Sequence, residues 1–187
     1  MRRRTLCALL ALALCLILTA CSGKAALSFD LKTLKDGAVY PGALLGASRE
    51  EVVKAGVPLE SEPESESDFG GKKSQTYKLK AASGEATVNG EKLREAGFQF
   101  LDGELLNGSL YLLDSKAEPL VRQLDSLYGE HAERDSVQEN TTILTWTLEA
   151  NGHAVQIGLV QVTQGDTAYC SSIQATATDL LPASSDN

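Results

Sequence analysis

The chain is poor in the residues that usually carry chemistry. It has 187 residues, yet only two histidines, one tryptophan, one methionine and four cysteines. Aromatic residues make up 5% of it. The histidines, His131 and His153, have no cysteine or carboxylate at metal-ligand spacing, which leaves no recognisable zinc motif. No Gly-Lys-Ser/Thr phosphate loop and no Gly-x-Ser-x-Gly elbow occurs. Nor is any apolar run long enough to cross a hydrocarbon core, which takes roughly 20 residues. Basic residues cluster in one place, the head Arg2-Arg3-Arg4.

That head opens the most informative stretch. Leu6 to Leu18 is almost wholly apolar, about 13 residues long and ends in small residues, the pattern of a secretory leader. Leu18-Thr19-Ala20-Cys21 follows, a leucine and two small residues before a cysteine. This resembles the bacterial lipobox. The resemblance implies cleavage before Cys21, a diacylglycerol thioether on its sulfur and a protein held to the bacterial cell membrane on the extracytoplasmic side. Acyl chains contribute about 0.8 kcal/mol per buried methylene, so two or three anchor a protein firmly.

Removing residues 1–20 leaves 14 basic against 25 acidic residues, a net charge of −11. Such a balance argues against nucleic acid as a partner, because that needs clustered Lys and Arg. With Cys7 and Cys15 in the leader and Cys21 lipidated, Cys170 is alone and no intramolecular disulfide can form. An apolar core must hold the domain together, and 167 residues suffice for one.

Read in order, residues 21–28 form a tether and 29–181 an α+β domain, with a polar tail over 182–187. Ser48 and Glu51 make a capping box for a short helix over 49–55, stopped by Gly56 and Pro58. Glu60, Glu62, Glu64, Glu66 and Asp68 alternate with polar residues and predict a mobile acidic loop. The same loop, 60–68, is the candidate for a cation or small-ligand site, since hard oxygens suit calcium. Its order of acids and glycines does not follow the EF-hand pattern. Strands are predicted over 75–80, 86–88, 92–101 and 104–113, joined at Asn89-Gly90 and Asp102-Gly103. A second capping box is expected from Ser115 and Glu118. Leu120, Val121, Leu124, Leu127 and Tyr128 fall on one face of the helix that follows. A polar loop to Asn140 then leads to strands over 141–148, 153–162 and 167–178. The second of these is apolar on both faces and reads as central.

Helix and antiparallel meander therefore occur twice, over about 40–113 and 114–178. Two such units side by side predict one sheet with both helices on one face. Gly46, Ser48, Val52, Gly56, Pro58, Phe98, Phe100, Asp102, Gly103 and Leu105 resemble the repeat of beta-lactamase-inhibitory-protein-like domains and of small outer-membrane assembly lipoproteins. The resemblance covers about residues 40–178 and implies a binding surface on the sheet. The mature part departs from the inhibitor in having no disulfide.

No catalytic set and no cofactor site emerges. Nothing around Cys170 lowers a thiol pKa. Trp146 shares a face with Leu144 and Leu148, which predicts burial. Tyr77, Tyr111 and Tyr169 are the candidate interaction surface, since tyrosine is favoured at interfaces. The expected function is a lipid-anchored binding or scaffold protein without catalysis, joined to the membrane through Cys21 and to a protein partner through its sheet.

Overall fold

A computed structural model describes residues 27–40 and 43–182. Cys21, most of the tether and nearly all of the tail lie outside the described residues. In chain order the elements begin with β1 (Ser28–Phe29), a 3-10 turn (Leu31–Asp36), β2 (Ala38–Tyr40), β3 (Ala43–Leu44) and α1 (Arg49–Lys54). Next come β4 (Ser65–Phe69), β5 (Lys72–Lys78), β6 (Thr87–Val88), β7 (Glu91–Leu101), β8 (Glu104–Lys116) and α2 (Ala117–Tyr128). The remainder is β9 (Ala132–Asp135), β10 (Thr141–Ala150), β11 (His153–Gln164), β12 (Thr167–Ala177) and a 3-10 turn (Thr178–Leu180). The class is α+β, as expected from the sequence.

One ten-stranded sheet dominates. Eight of its strands run in the order β1-β6-β7-β8-β12-β11-β10-β9, and β5 pairs with β7 and carries β4 at its edge. At the centre β8 and β12 pair antiparallel, with Leu110 opposite Ile173 and Ser109 opposite Gln174. The long hairpins are set by their turns. Asn151 (φ 52°) and Gly152 (φ 80°) both take the left-handed region, as do Asp102 and Gly103. Asn, Asp and Gly adopt it at least cost, and two such residues match the twist of the flanking strands.

Alternation along the strands puts one face of the sheet into the core. Phe98, Phe100, Leu105, Trp146, Ile157, Leu159 and Ile173 are each at most 2% exposed, and all belong to one apolar cluster. Val52 of α1 and Leu120 and Leu124 of α2 join the same cluster. β2 reaches the sheet at Gly108, where a Cβ would stand 2.2 Å from Val39 Cγ1. Only glycine leaves room for the Val39 side chain there.

Several expectations need correction. The capping box at Ser48 is present, its hydroxyl accepting from the Glu51 amide and the Glu51 carboxylate from the Ser48 amide. That at Ser115 is not: β8 runs on to Lys116, which caps α2 without a side-chain hydrogen bond. The Ser115 hydroxyl is drawn instead to Glu91 Oε2 at 2.7 Å, across the β7–β8 pair. Part of the acidic loop is a strand. β4 pairs with β5 from Ser65 to Phe69, and Lys73 and Lys78 of β5 meet Glu66 and Glu64 in ion pairs, which relieves the repulsion between the acids. The polar loop before Asn140 likewise contains β9, paired with β10.

Candidate interaction face

The other face of the sheet can be read row by row from the strand pairings, since paired residues point to the same side. One row runs Ile143–Val160–Ser172–Tyr111–Glu95. The next is Thr145–Gly158–Gln174–Ser109–Gly97, ending at Lys78. A third is Thr147–Gln156–Thr176–Asn107–Gln99–Thr76. This side is therefore polar and mostly uncharged, with an apolar band along one border.

Its polar groups are ordered among themselves. Asn107 Nδ2 donates to Thr176 Oγ1 at 2.7 Å, and Ser109 Oγ donates to Asn107 Oδ1 at 2.7 Å. Gln99 Nε2 donates to Ser74 Oγ at 2.9 Å. Amides and hydroxyls held this way lose little further rotamer freedom when a partner covers them, which lowers the cost of association.

Beyond the apolar row the strands bulge. The register shifts between Leu93 and Glu95 on β7 and between Cys170 and Ser172 on β12. Arg94 is the extra residue on β7, and its guanidinium stands 5.8 Å from the Tyr111 ring centre. Bulges re-aim side chains. Here they open a cleft of about 410 Å³ among Arg94, Leu112, Asp114, Val162, Tyr169 and Cys170.

The three candidate tyrosines do not share one surface. Tyr111 and Tyr169 are half-buried on the open side, Tyr169 paired with Val162 and Lys116. Tyr77 is 7% exposed and belongs to the core. It faces the same way as Phe98, meets Phe100 edge to face at 5.8 Å, and has the Arg49 guanidinium 4.5 Å above its ring. Tyr77 is thus a packing residue rather than a surface anchor. Arg94, Ile143 and Val160 belong to the face and escaped the sequence reading. The apolar doubling of β11 was their one visible sign, since Val160 and Val162 alternate with the buried Ile157 and Leu159.

The remaining candidates sit apart. His131 Nδ1 is 2.8 Å from Asp125 Oδ1, which also accepts from Trp146 Nε1 at 3.1 Å. The His131 hydrogen bond holds the Asp125 carboxyl below the usual carboxylate range. His153 Nδ1 is 2.9 Å from Asp179 Oδ2, and Asp179 Oδ1 accepts from the Ala154 amide at 3.1 Å. Each pair ties a chain segment to the sheet: one the exit from α2, the other the turn after β12. Cys170 is buried, and burial, with Glu91 adding to it, pushes its thiol up to about 12. A thiol in that state is a poor nucleophile. Among the described residues no three His, Cys, Asp or Glu side chains converge as a metal site would require.

The sequence matches no protein-family model, and comparison with curated proteins and with solved structures finds no match.

Proposed function

We propose that this is a lipid-anchored, extracytoplasmic binding or scaffold protein that works without catalysis. The observation that carries the reading is the open side of the sheet. It is pre-ordered and largely uncharged, bordered by the apolar band of Ile143, Val160 and Tyr111, with Tyr169 and Arg94 beyond. Tyrosine and arginine around an apolar border are what protein interfaces concentrate. Glu64 and Glu66 are engaged by lysines, so the cation reading of the acidic segment has no observation in its favour.

The domain is read further as a duplication of one helix-plus-meander unit with both helices on one side. Outward from the β8–β12 pair, β7, β5 and β4 follow on one flank and β11, β10 and β9 on the other, each in reverse chain order. The short pair β1–β6 is an addition that joins the sheet at the start of β7. α1 precedes the first set of strands and α2 the second, and both send apolar residues into one cluster. These features support a duplicated plan of the kind the sequence resemblance implies.

Anchoring is tested by mass spectrometry of the membrane-bound protein. Its first peptide is expected to begin at Cys21 and carry a diacylglycerol, and Cys21→Ser to abolish both. An unmodified Cys21 in membrane-bound protein overturns the lipid reading. For the face, Tyr111→Ser with Tyr169→Ser is expected to lose a partner captured from envelope extract by the parent chain, at unchanged melting temperature. Equal capture by both proteins removes the face as the site.

A further inference from the structure

The proposed anchor and the fold together specify which end of the molecule meets the bilayer. Six residue steps separate Cys21 from Leu27, the first described residue, and they span about 21 Å at full extension. Strands β10 and β11, of 10 and 12 residues, are by contrast about 35–40 Å long. A tether so short keeps the corner of the sheet at which the chain enters within about 21 Å of its lipid attachment.

Leu27 identifies that end. Its carbonyl accepts from the Thr87 amide at 2.9 Å, and Thr87 pairs with Lys92 at the start of β7. Arg94 lies two residues on. From there the same end continues through Lys116 at the end of β8, paired with Tyr169, and Val162 on β11. It reaches the 136–140 loop, where the Asn140 carbonyl accepts from the Thr163 amide. Two of the large apolar side chains that stand exposed are here, Leu113 at 39% and Val137 fully exposed. The opposite end also shows two, Phe69 and Leu181, where Pro182 crosses the β4–β5 turn at Gly70. Exposed apolar groups alone therefore do not choose an end; the position of Leu27 does.

We infer that the end bearing Leu113, Val137 and Lys116 rests on the lipid headgroup layer, and that the open side with Tyr111 and Tyr169 stands away from it. The chemistry suits an interfacial zone, where aliphatic groups enter and lysine stems reach headgroups. Lys92, Arg94 and Lys116 are offset by Glu91, Asp114 and Asp166, so the contact does not depend on anionic lipid. This inference rests on the anchoring reading above and adds an orientation to it.

The test uses the full chain expressed in bacteria, purified from membranes and returned to vesicles of phosphatidylethanolamine and phosphatidylglycerol containing a brominated lipid. Val137→Cys and Glu149→Cys are each labelled with an environment-sensitive fluorophore. Both positions are exposed, they lie at opposite ends of the sheet, and buried Cys170 stays unlabelled. Quenching at position 137 is expected to exceed that at 149 at least threefold, and to persist in vesicles of phosphatidylethanolamine and phosphatidylcholine. Equal quenching at the two positions, or more at 149, overturns the orientation while leaving the anchor intact. Protein that floats with no vesicle and carries no lipid on Cys21 overturns both.

Discussion

At the scale of single residues, the polar groups that matter most are fasteners. Asp125 gathers the end of α2, His131 and the indole of the buried Trp146 at one carboxylate oxygen. Because the folded state lowers the pKa of Asp125, its contribution is complete above the ordinary aspartate value near 4 and lost as pH falls through the lower folded value. Asp125→Ala is therefore expected to cost about 1 kcal/mol at pH 7. Melting curves taken as a pH series should show that difference shrinking below about pH 4; a constant difference down to pH 2 contradicts the assignment. Gly108 makes a sharper case. An added methyl meets Val39, so Gly108→Ala is expected to destabilise by about 1–3 kcal/mol through overpacking. Adding Val39→Ala should recover part of that loss in a double-mutant cycle of denaturant midpoints, and additive losses would count against the contact. Burial of tyrosines was the least legible matter at this scale. Tyr77 lies between Thr76 and Lys78 and Tyr111 between Leu110 and Leu112, yet it is Tyr77 that turns inward, sent there by its pairing with Phe98. A side chain's direction depends on strand register, which partners decide and local sequence does not.

At the scale of elements, the chain was legible wherever a local group satisfies its own backbone. The Asn-Gly and Asp-Gly turns and the Ser48 box need only neighbours a few residues away, and all occur as read. Ser48→Ala is expected to lower stability by about 1 kcal/mol, the usual cost of a lost N-cap, with the far-UV circular dichroism of the native state nearly unchanged. A loss under 0.3 kcal/mol in urea titration would mean that packing of Val52 alone holds α1. Elements defined by distant partners were not legible. Ser115 carries the signature of a cap but finds Glu91, 24 residues back in the chain. The acids from Glu64 to Asp68 read as mutually repelling until β5 brings Lys73 and Lys78 beside them. β9 is four residues, all exposed, and owes its strand form to β10 alone. The open side of the sheet is the same kind of object. Its border is assembled from β8, β10, β11 and β12, and only Tyr111, Tyr169 and the excess of valine on β11 announced it.

At the scale of the whole molecule, one core serves both ends of the chain. β8 closes the first set of strands and β12 ends the second, and their pairing is the middle of the sheet. Phe98 lies in the first set and Trp146 in the second, yet both belong to the same cluster, together with Phe29 near the start. No cross-link substitutes for that packing, since Cys170 is the one free thiol among the described residues. Neither set can bury its inner face alone, because each would expose the edge that now forms the β8–β12 seam. Unfolding is therefore expected to be a single cooperative transition. Phe98→Ala should cost about 3–5 kcal/mol, and a domain of this size loses about 2–4 °C in melting temperature per kcal/mol. Trp146 fluorescence, which reports the second set, should shift by the same interval as far-UV circular dichroism, near 10 °C. If the mutation instead moved the circular dichroism transition and left the Trp146 transition in place, the two sets would fold independently. The seam would then be a contact between finished units, and a partner bound across it could act by holding them together.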